Sequence, residues 1–520
     1  MNKTKRPFSF VAASMAAVTA LSGCSGKTGG GETDKLTLKY WCGLPGTVST
    51  VVTNLGETDF YKELEQRTGV HIEFIHPSAG SVKEQFNVLV ASRDFPDVME
   101  YDWSSYPGAE RKASLDGVVA DVTDYMKDNA PHILSFVNDK APKIKKRVTT
   151  DDRWYIIPSM LDFSEYNCVK GTLIRQDLLD KFNLQMPETI DEWENVLRTF
   201  KNGGVKYPLC LRSSDITSYC QFISAYDVAT TFYQDGGKIK YGYFEPGMKE
   251  FLAKINSWIS EGLVDPDIMT MDGSSFDSKV LNGEVGAWVD AISEMKHKTA
   301  EIRKVAPDVK IVGAPYQTLT KGAQNKFYYF ERVDGYTYQN EAAITTANKH
   351  IPETLKWFDY AFTDEGHMLY NFGVEGKSYT MVDGKPKYTD LITNNPDGHA
   401  MRTALGLFAR PEAPGYVDVG YYDQYYDMPE QQAAAKMWSD EAAKVEQAVV
   451  WRACYKLNDE EADKVSELLP QFTSFASENF AKFVTGVTPL SEYDKFVAEL
   501  SKLGANEVMG IYQTAYNRLK

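Results

Sequence analysis

The stretch from Leu36 to Tyr101 decides the fold. It opens with Leu36-Thr37-Leu38-Lys39-Tyr40, in which apolar and polar residues alternate as a half-buried strand requires. Phe60, Leu64 and Arg67 then recur at helical spacing until Gly69 ends the helix. Val70, Ile72 and Phe74 alternate again, Ser81 to Ala91 forms a second helix around Phe86, Leu89 and Val90, and Asp97 to Tyr101 makes a third strand. A β-α-β-α-β order of this kind predicts parallel strands with helices packed on their faces.

Upstream of this unit the chain reads as an export signal. Lys3, Lys5 and Arg6 precede an apolar run from about Phe8 to Leu21, too short for the ~20 residues of a permanent membrane span. Residues 1–23 are assigned to the signal, and 24–35 to a flexible Gly-, Ser- and Thr-rich tether. Loss of the signal takes the net charge from −16 to −19, which repels phosphate backbones and argues against nucleic acid as a partner. Beyond Cys24 the cysteines are Cys42, Cys168, Cys210, Cys220 and Cys454, an odd set with no disulfide framework. Buried free thiols are expected, with a Cys210–Cys220 bridge as the alternative.

Downstream, Tyr155 to Pro158 leaves the first unit as a buried strand, and Thr172 to Arg175 begins a second one. Thr189 and Glu192 form a capping box ahead of Trp193, Val196, Leu197 and Phe200 on one helix face. A long helix is expected from Pro246 to Glu261, a helix-to-strand turn over Leu281–Trp288, and a hairpin around Asp383-Gly384. From Gln431 onward the pattern is almost wholly helical.

Several stretches carry a family resemblance. Leu21-Ser22-Gly23-Cys24 resembles the lipobox of bacterial lipoproteins, whose cysteine is lipidated. GTLIRQDLLDKFNLQMPETIDEWENVLRTFK (171–201), LNGEVGAW (281–288), ETLKWFDYAFTDEGHMLYNFGVEGKSYT (353–380), GKPKYTDLITNNPDG (384–398) and the run 482–519 are similar to bacterial extracellular solute-binding proteins of the maltodextrin-binding type, in particular LipO-like lipoproteins. The resemblance implies an α/β, two-lobed fold of the periplasmic-binding-protein kind, with three crossings between lobes and a helix-rich C-terminal part. By analogy the crossings fall near 157–163, near 342–346 and between about 407 and 426. Lobe 1 is expected over 36–157 and 347–410, and lobe 2 over 161–342 and 425–520. It further implies a lipid-anchored protein facing the outside of the cell, a monomer that captures an oligosaccharide or other polar solute for the permease of an ATP-driven importer.

The chemistry of the sequence agrees with binding more than with catalysis. It has no phosphate loop, dinucleotide fingerprint, nucleophile elbow or H-E-x-x-H motif, and no histidine pair at metal-binding spacing. Asp265-Pro266-Asp267-Ile268-Met269 begins like a calcium loop but has Met269 where an oxygen ligand is needed. No cofactor, metal or catalytic residue is assigned, and a secreted glycosidase and a non-transport adhesin stand as alternatives. Sugars present an apolar face and a rim of hydroxyls, so aromatic rings beside polar side chains at strand ends are the candidates. Those residues are Trp41, Asp102, Trp103, Phe163, Glu165, Arg212, Trp288, Asp290, Tyr421, Tyr422 and Tyr425. Trp193, Trp258 and Trp357 lie on helical faces and are expected in the core.

Overall fold

A computed structural model describes residues 35–518, except 79, 107, 151, 329–335 and 445–456. The signal, Cys24, the tether to Asp34 and Cys454 lie outside the described residues. The three opening strands form as expected, Leu36–Trp41 running parallel to both Val70–Ile75 and Val98–Tyr101. Helix Asp59–Thr68 starts where Thr58 accepts from the Tyr61 amide, and it stops at Gly69 in the left-handed region. The 13-residue helix Ile190–Asn202 has the predicted capping box: Thr189 Oγ1 accepts from Glu192 N at 3.2 Å, and Glu192 Oε2 from Thr189 N at 3.1 Å.

Two sheets organise the two lobes. The first has six strands in the order Gly415–Tyr416, Ile157–Met160, Tyr336–Ile344, Val98–Tyr101, Leu36–Trp41, Val70–Ile75. The second has four, in the order Ile311–Gly313, Lys170–Arg175, Val285–Ala291, Tyr207–Cys210. Chain order therefore takes the backbone from sheet to sheet twice, from Met160 to Lys170 and from Gly313 to Tyr336, and a third time from Tyr416 to the helix Pro429–Ala442, which packs on the second sheet at Gly313. The lobe boundaries expected from sequence need correction at two places. Strand Tyr336–Ile344, assigned mostly to lobe 2, pairs antiparallel with Val98–Tyr101 and Ile157–Met160 in the first sheet. Gly415–Tyr416, beyond the expected end of lobe 1 at 410, pairs with Ser159 and Met160 in the same sheet.

The second sheet is buried on both faces, which its near-continuous apolar strands require. Leu173, Cys210 and Trp288 sit in one cross-strand row and face the core set shared with Phe276 and Trp438. Their neighbours Ile174, Leu209, Ala287 and Val289 face the other core, with Trp193, Trp258 and Phe472. Trp438 lies so close that a Cβ on Gly171 would come within 2.7 Å of its ring, and the indole Nε1 donates to the Ala314 carbonyl at 2.8 Å. Glycine at 171 is what lets that helix pack on the sheet. Cys210 and Cys220 are free thiols, so the alternative Cys210–Cys220 bridge is not formed.

Candidate functional site

At the carboxyl ends of the parallel strands Leu36–Trp41 and Val98–Tyr101 the chain opens into loops, the place where open α/β sheets gather ligands. A cavity of 510 Å³ lies there. One wall is the loop from Gly43 to Val48, the floor is Glu100, Tyr101 and Asp102, and the opposite wall is Arg402 to Glu412 with Tyr421. These walls come from lobe 1 and the third crossing. The geometry puts aromatic faces and charged groups around one space.

The floor is held by a buried polar cluster. Glu100 accepts from the Tyr40 hydroxyl at 2.7 Å and lies 3.8 Å from the Arg410 guanidinium, both charged side chains being about nine-tenths buried. Arg410 also donates to Tyr61 Oη at 3.1 Å. Burial opposes its charge, but Tyr61 and Glu100 outweigh that and hold the guanidinium protonated well above its ordinary range. Asp102 caps the short turn that follows the strand, accepting from Ser104 N at 3.1 Å. Tyr101 is stacked on Phe86 with ring centroids 3.9 Å apart, which fixes the plane that the ring presents to the cavity.

Around the third crossing, Tyr421, Tyr422, Tyr425 and Tyr426 form an aromatic ladder on the helix Val419–Tyr425 and its C-cap. Tyr422 donates to Glu412 Oε1 at 3.1 Å and stacks on Tyr166 of the first crossing, whose hydroxyl donates to Asp423 at 2.8 Å. Phe163 meets Tyr422 edge-on at 5.9 Å. Two crossings are thereby joined by rings directly beside the cavity. Burial pushes the Tyr425 hydroxyl up to about 12; Arg402 pulls it down, while Glu412 and Glu294 add to the rise.

Of the residues singled out in the sequence, Asp102 and Tyr421 line the cavity, Tyr425 and Tyr422 bond to groups in its wall, and Phe163 backs the ladder. Glu165 is exposed and accepts from the Ser164 amide. Trp41, Trp103 and Trp288, expected among the ligand-binding residues, are instead buried in the core, 2 %, 0 % and 0 % exposed. Trp41 and Trp103 pack against Phe86 at 6.2 and 5.4 Å, because helix Val82–Ser92 covers the strand ends that the sequence left open. A ring so covered offers no face to a ligand. Arg212 and Asp290 are also taken up internally. Arg212 donates to Asp215 and to the Val289 carbonyl, and lies 4.0 Å over the Phe276 ring. Burial pushes the Asp215 carboxyl up to about 6, against the pull of Arg212. Asp290 is paired with Lys298 at 2.5 Å.

Sequence reasoning missed Tyr101, Glu100, Arg402, Arg410 and Glu412. Only Glu100 and Tyr101 carried a signal, since both close a predicted parallel strand. No group of three or more metal-ligating side chains occurs among the described residues. In the loop that begins like a calcium site, Lys279 Nζ sits 2.6 Å from Asp265 and 3.0 Å from Asp267, so an ammonium bridges the two carboxylates. Among the described residues no helix is long and apolar enough to cross a membrane.

Comparison with known proteins places this geometry in context. The fructooligosaccharide ABC transporter substrate-binding protein FusA of Streptococcus pneumoniae serotype 4 is 22% identical over 489 residues, 88% of this chain and 86% of the relative. Lipoprotein LipO of Bacillus subtilis is 22% identical over 370 residues, 69% of this chain and 71% of the relative. The crystal structure of the alginate-binding protein AlgQ2 without calcium ion superposes with a TM-score of 0.76 at 22% identity, covering 93% of this chain and 99% of that one. The model for the bacterial extracellular solute-binding proteins matches residues 55–368, and the chain belongs to that family.

Proposed function

We propose that this protein captures an oligosaccharide between its lobes and delivers it to the permease of an ATP-driven importer, without turning it over. The observation that carries the reading is the cavity at the strand ends. Tyr101 at the cavity floor offers an aromatic ring suited to the apolar side of a pyranose or furanose. Asp102, Glu412 and Arg402 supply acceptors and donors for the hydroxyl rim. FusA and AlgQ2, which share the fold across nearly the whole chain, are by name fructooligosaccharide- and alginate-binding, and this supports a glycan over a peptide or ion.

Capture needs the lobes to close, and three crossings allow that hinge motion. A panel of fructo-oligosaccharides, uronate oligosaccharides and neutral hexose oligomers tests the reading by thermal shift. A bound glycan at 100 times its Kd stabilises by ~2.7 kcal/mol and raises the melting midpoint. Release of reducing ends over hours of incubation would instead identify a glycosidase.

The export signal and Leu21-Ser22-Gly23-Cys24 support a mature protein lipidated on Cys24 and anchored by that lipid outside the membrane. Cys24→Ser is expected to move the protein from the membrane fraction to the medium. Retention of that variant in membranes stripped of importer subunits would refute the anchor.

A further inference from the structure

A charged contact outside the cavity lining joins the two lobes. Helix Ala109–Leu115 belongs to lobe 1: it follows strand Val98–Tyr101, and Ala113 is buried in the same core as Val118 and Val119. Helix Asp459–Val484 belongs to lobe 2, where Phe472, Phe480 and Phe483 enter the second core. The first turn of that long helix carries Asp459, Glu460 and Glu461, with Asp463 following.

Arg111 Nη1 of lobe 1 reaches Asp459 Oδ1 of lobe 2 at 2.9 Å, and Lys112 Nζ lies 3.9 Å from Asp463 Oδ1. The backbones approach closely here. Gly108 has φ +83°, and a Cβ on it would stand 3.2 Å from the Cβ of Ala462, which is 5 % exposed. Both sides are built to hold position. Lys112 is steadied by Asp116 at 2.6 Å, Asn458 and Glu461 form a capping box, and Arg518 grips Glu461 at 2.6 Å.

We propose that Arg111 and Lys112 docking on Asp459 and Asp463 form an electrostatic latch that favours the closed arrangement of the lobes and so raises affinity for any solute held between them. The pairs exist only while the lobes are together, so their attraction adds to the closed state and is lost on opening. Each partly exposed pair shifts such an equilibrium by up to about fivefold, and the pull weakens as salt shortens the screening length from ~10 Å at 0.1 M to ~3 Å at 1 M. Reversing both lobe 1 charges replaces attraction with repulsion. The latch depends on the two-lobed architecture alone, so it stands or falls separately from the identity of the ligand.

The test uses the mature chain without ligand. Solution scattering is recorded at about 20 mM and about 1 M sodium chloride, on either side of the screening crossover. It compares the wild type, R111E/K112E, and the charge-swapped R111E/K112E/D459K/D463K. The wild type is expected to be compact at low salt, near ~23 Å in radius of gyration for a chain this size, and to expand by a few per cent at high salt. R111E/K112E should show the expanded value at both salts, and the charge swap should restore compaction at low salt. Equal radii for wild type and R111E/K112E at low salt would overturn the proposal. So would expansion that the charge swap fails to reverse, because it would mark damage to the fold instead of a lost pair.

Discussion

Arg410→Met should lower unfolding stability in urea by ~3–5 kcal/mol, among the largest single-residue losses this fold allows, because it strands a buried carboxylate. Glu100 sits at the cavity floor with its side chain 10 % exposed, between the Tyr40 hydroxyl and the Arg410 guanidinium. Without the arginine, Glu100 keeps one neutral hydrogen bond and loses its counter-charge, while Tyr61 loses the donor at 3.1 Å. Replacing both charges, as Glu100→Gln with Arg410→Met, should recover a substantial part of the loss, since the penalty lies in the unpaired charge. A double-mutant cycle by urea unfolding measures this. Equal losses for the single and double variants would mean that packing, not charge pairing, sets the cost.

Trp103→Ala should cost a comparable ~3–5 kcal/mol through the cavity left in the aromatic cluster of Trp41, Phe86, Tyr101 and Tyr106. The ring is fully buried, and the residue's amide donates to Glu341 at 2.7 Å. Tyr101→Ala removes the ring that faces the cavity and should chiefly reduce affinity. The two substitutions are two residues apart, yet their signatures should separate. Trp103→Ala lowers the melting midpoint of the unliganded protein, whereas Tyr101→Ala changes Kd. A Trp103→Ala protein with the wild-type midpoint would return that indole to the ligand surface.

The contrast between those neighbours shows what the sequence carried. Alternation at 36–40 and 70–74 was legible because each strand buries one face, and Thr189 with Glu192 was legible because a cap is a local bond. Of Tyr336–Ile344 only the small-residue end, Ala342-Ala343-Ile344, reads as a strand in the sequence. Its run of Tyr, Thr, Gln, Asn and Glu ahead of two alanines follows no period, and its place between Ile157–Met160 and Val98–Tyr101 is fixed by partners some 180 and 240 residues away. The tryptophans failed for a related reason: a strand end predicts a loop, but whether a ring there is covered depends on where helix Val82–Ser92 lies. Arg402 and Arg410 left no local trace, since Arg410 finds Tyr61 349 residues away. Tyr421 and Asp102, which line the cavity, were singled out because both lie where the chain leaves a sheet, and a topological argument needs no knowledge of packing.

Isothermal calorimetry of the mature protein, as wild type and Tyr101→Ala, against the oligosaccharides of the panel tests glycan capture at this cavity most directly. At least one glycan is expected to bind the wild type saturably at one site per chain. Tyr101→Ala should weaken it by about ten- to a hundredfold, for a stacked ring's burial and contact worth ~1.5–3 kcal/mol, with a smaller fall in the melting midpoint than Trp103→Ala gives. Saturable glycan binding that Tyr101→Ala leaves at the wild-type Kd would contradict the site, and no binding to any glycan of the panel would contradict the function.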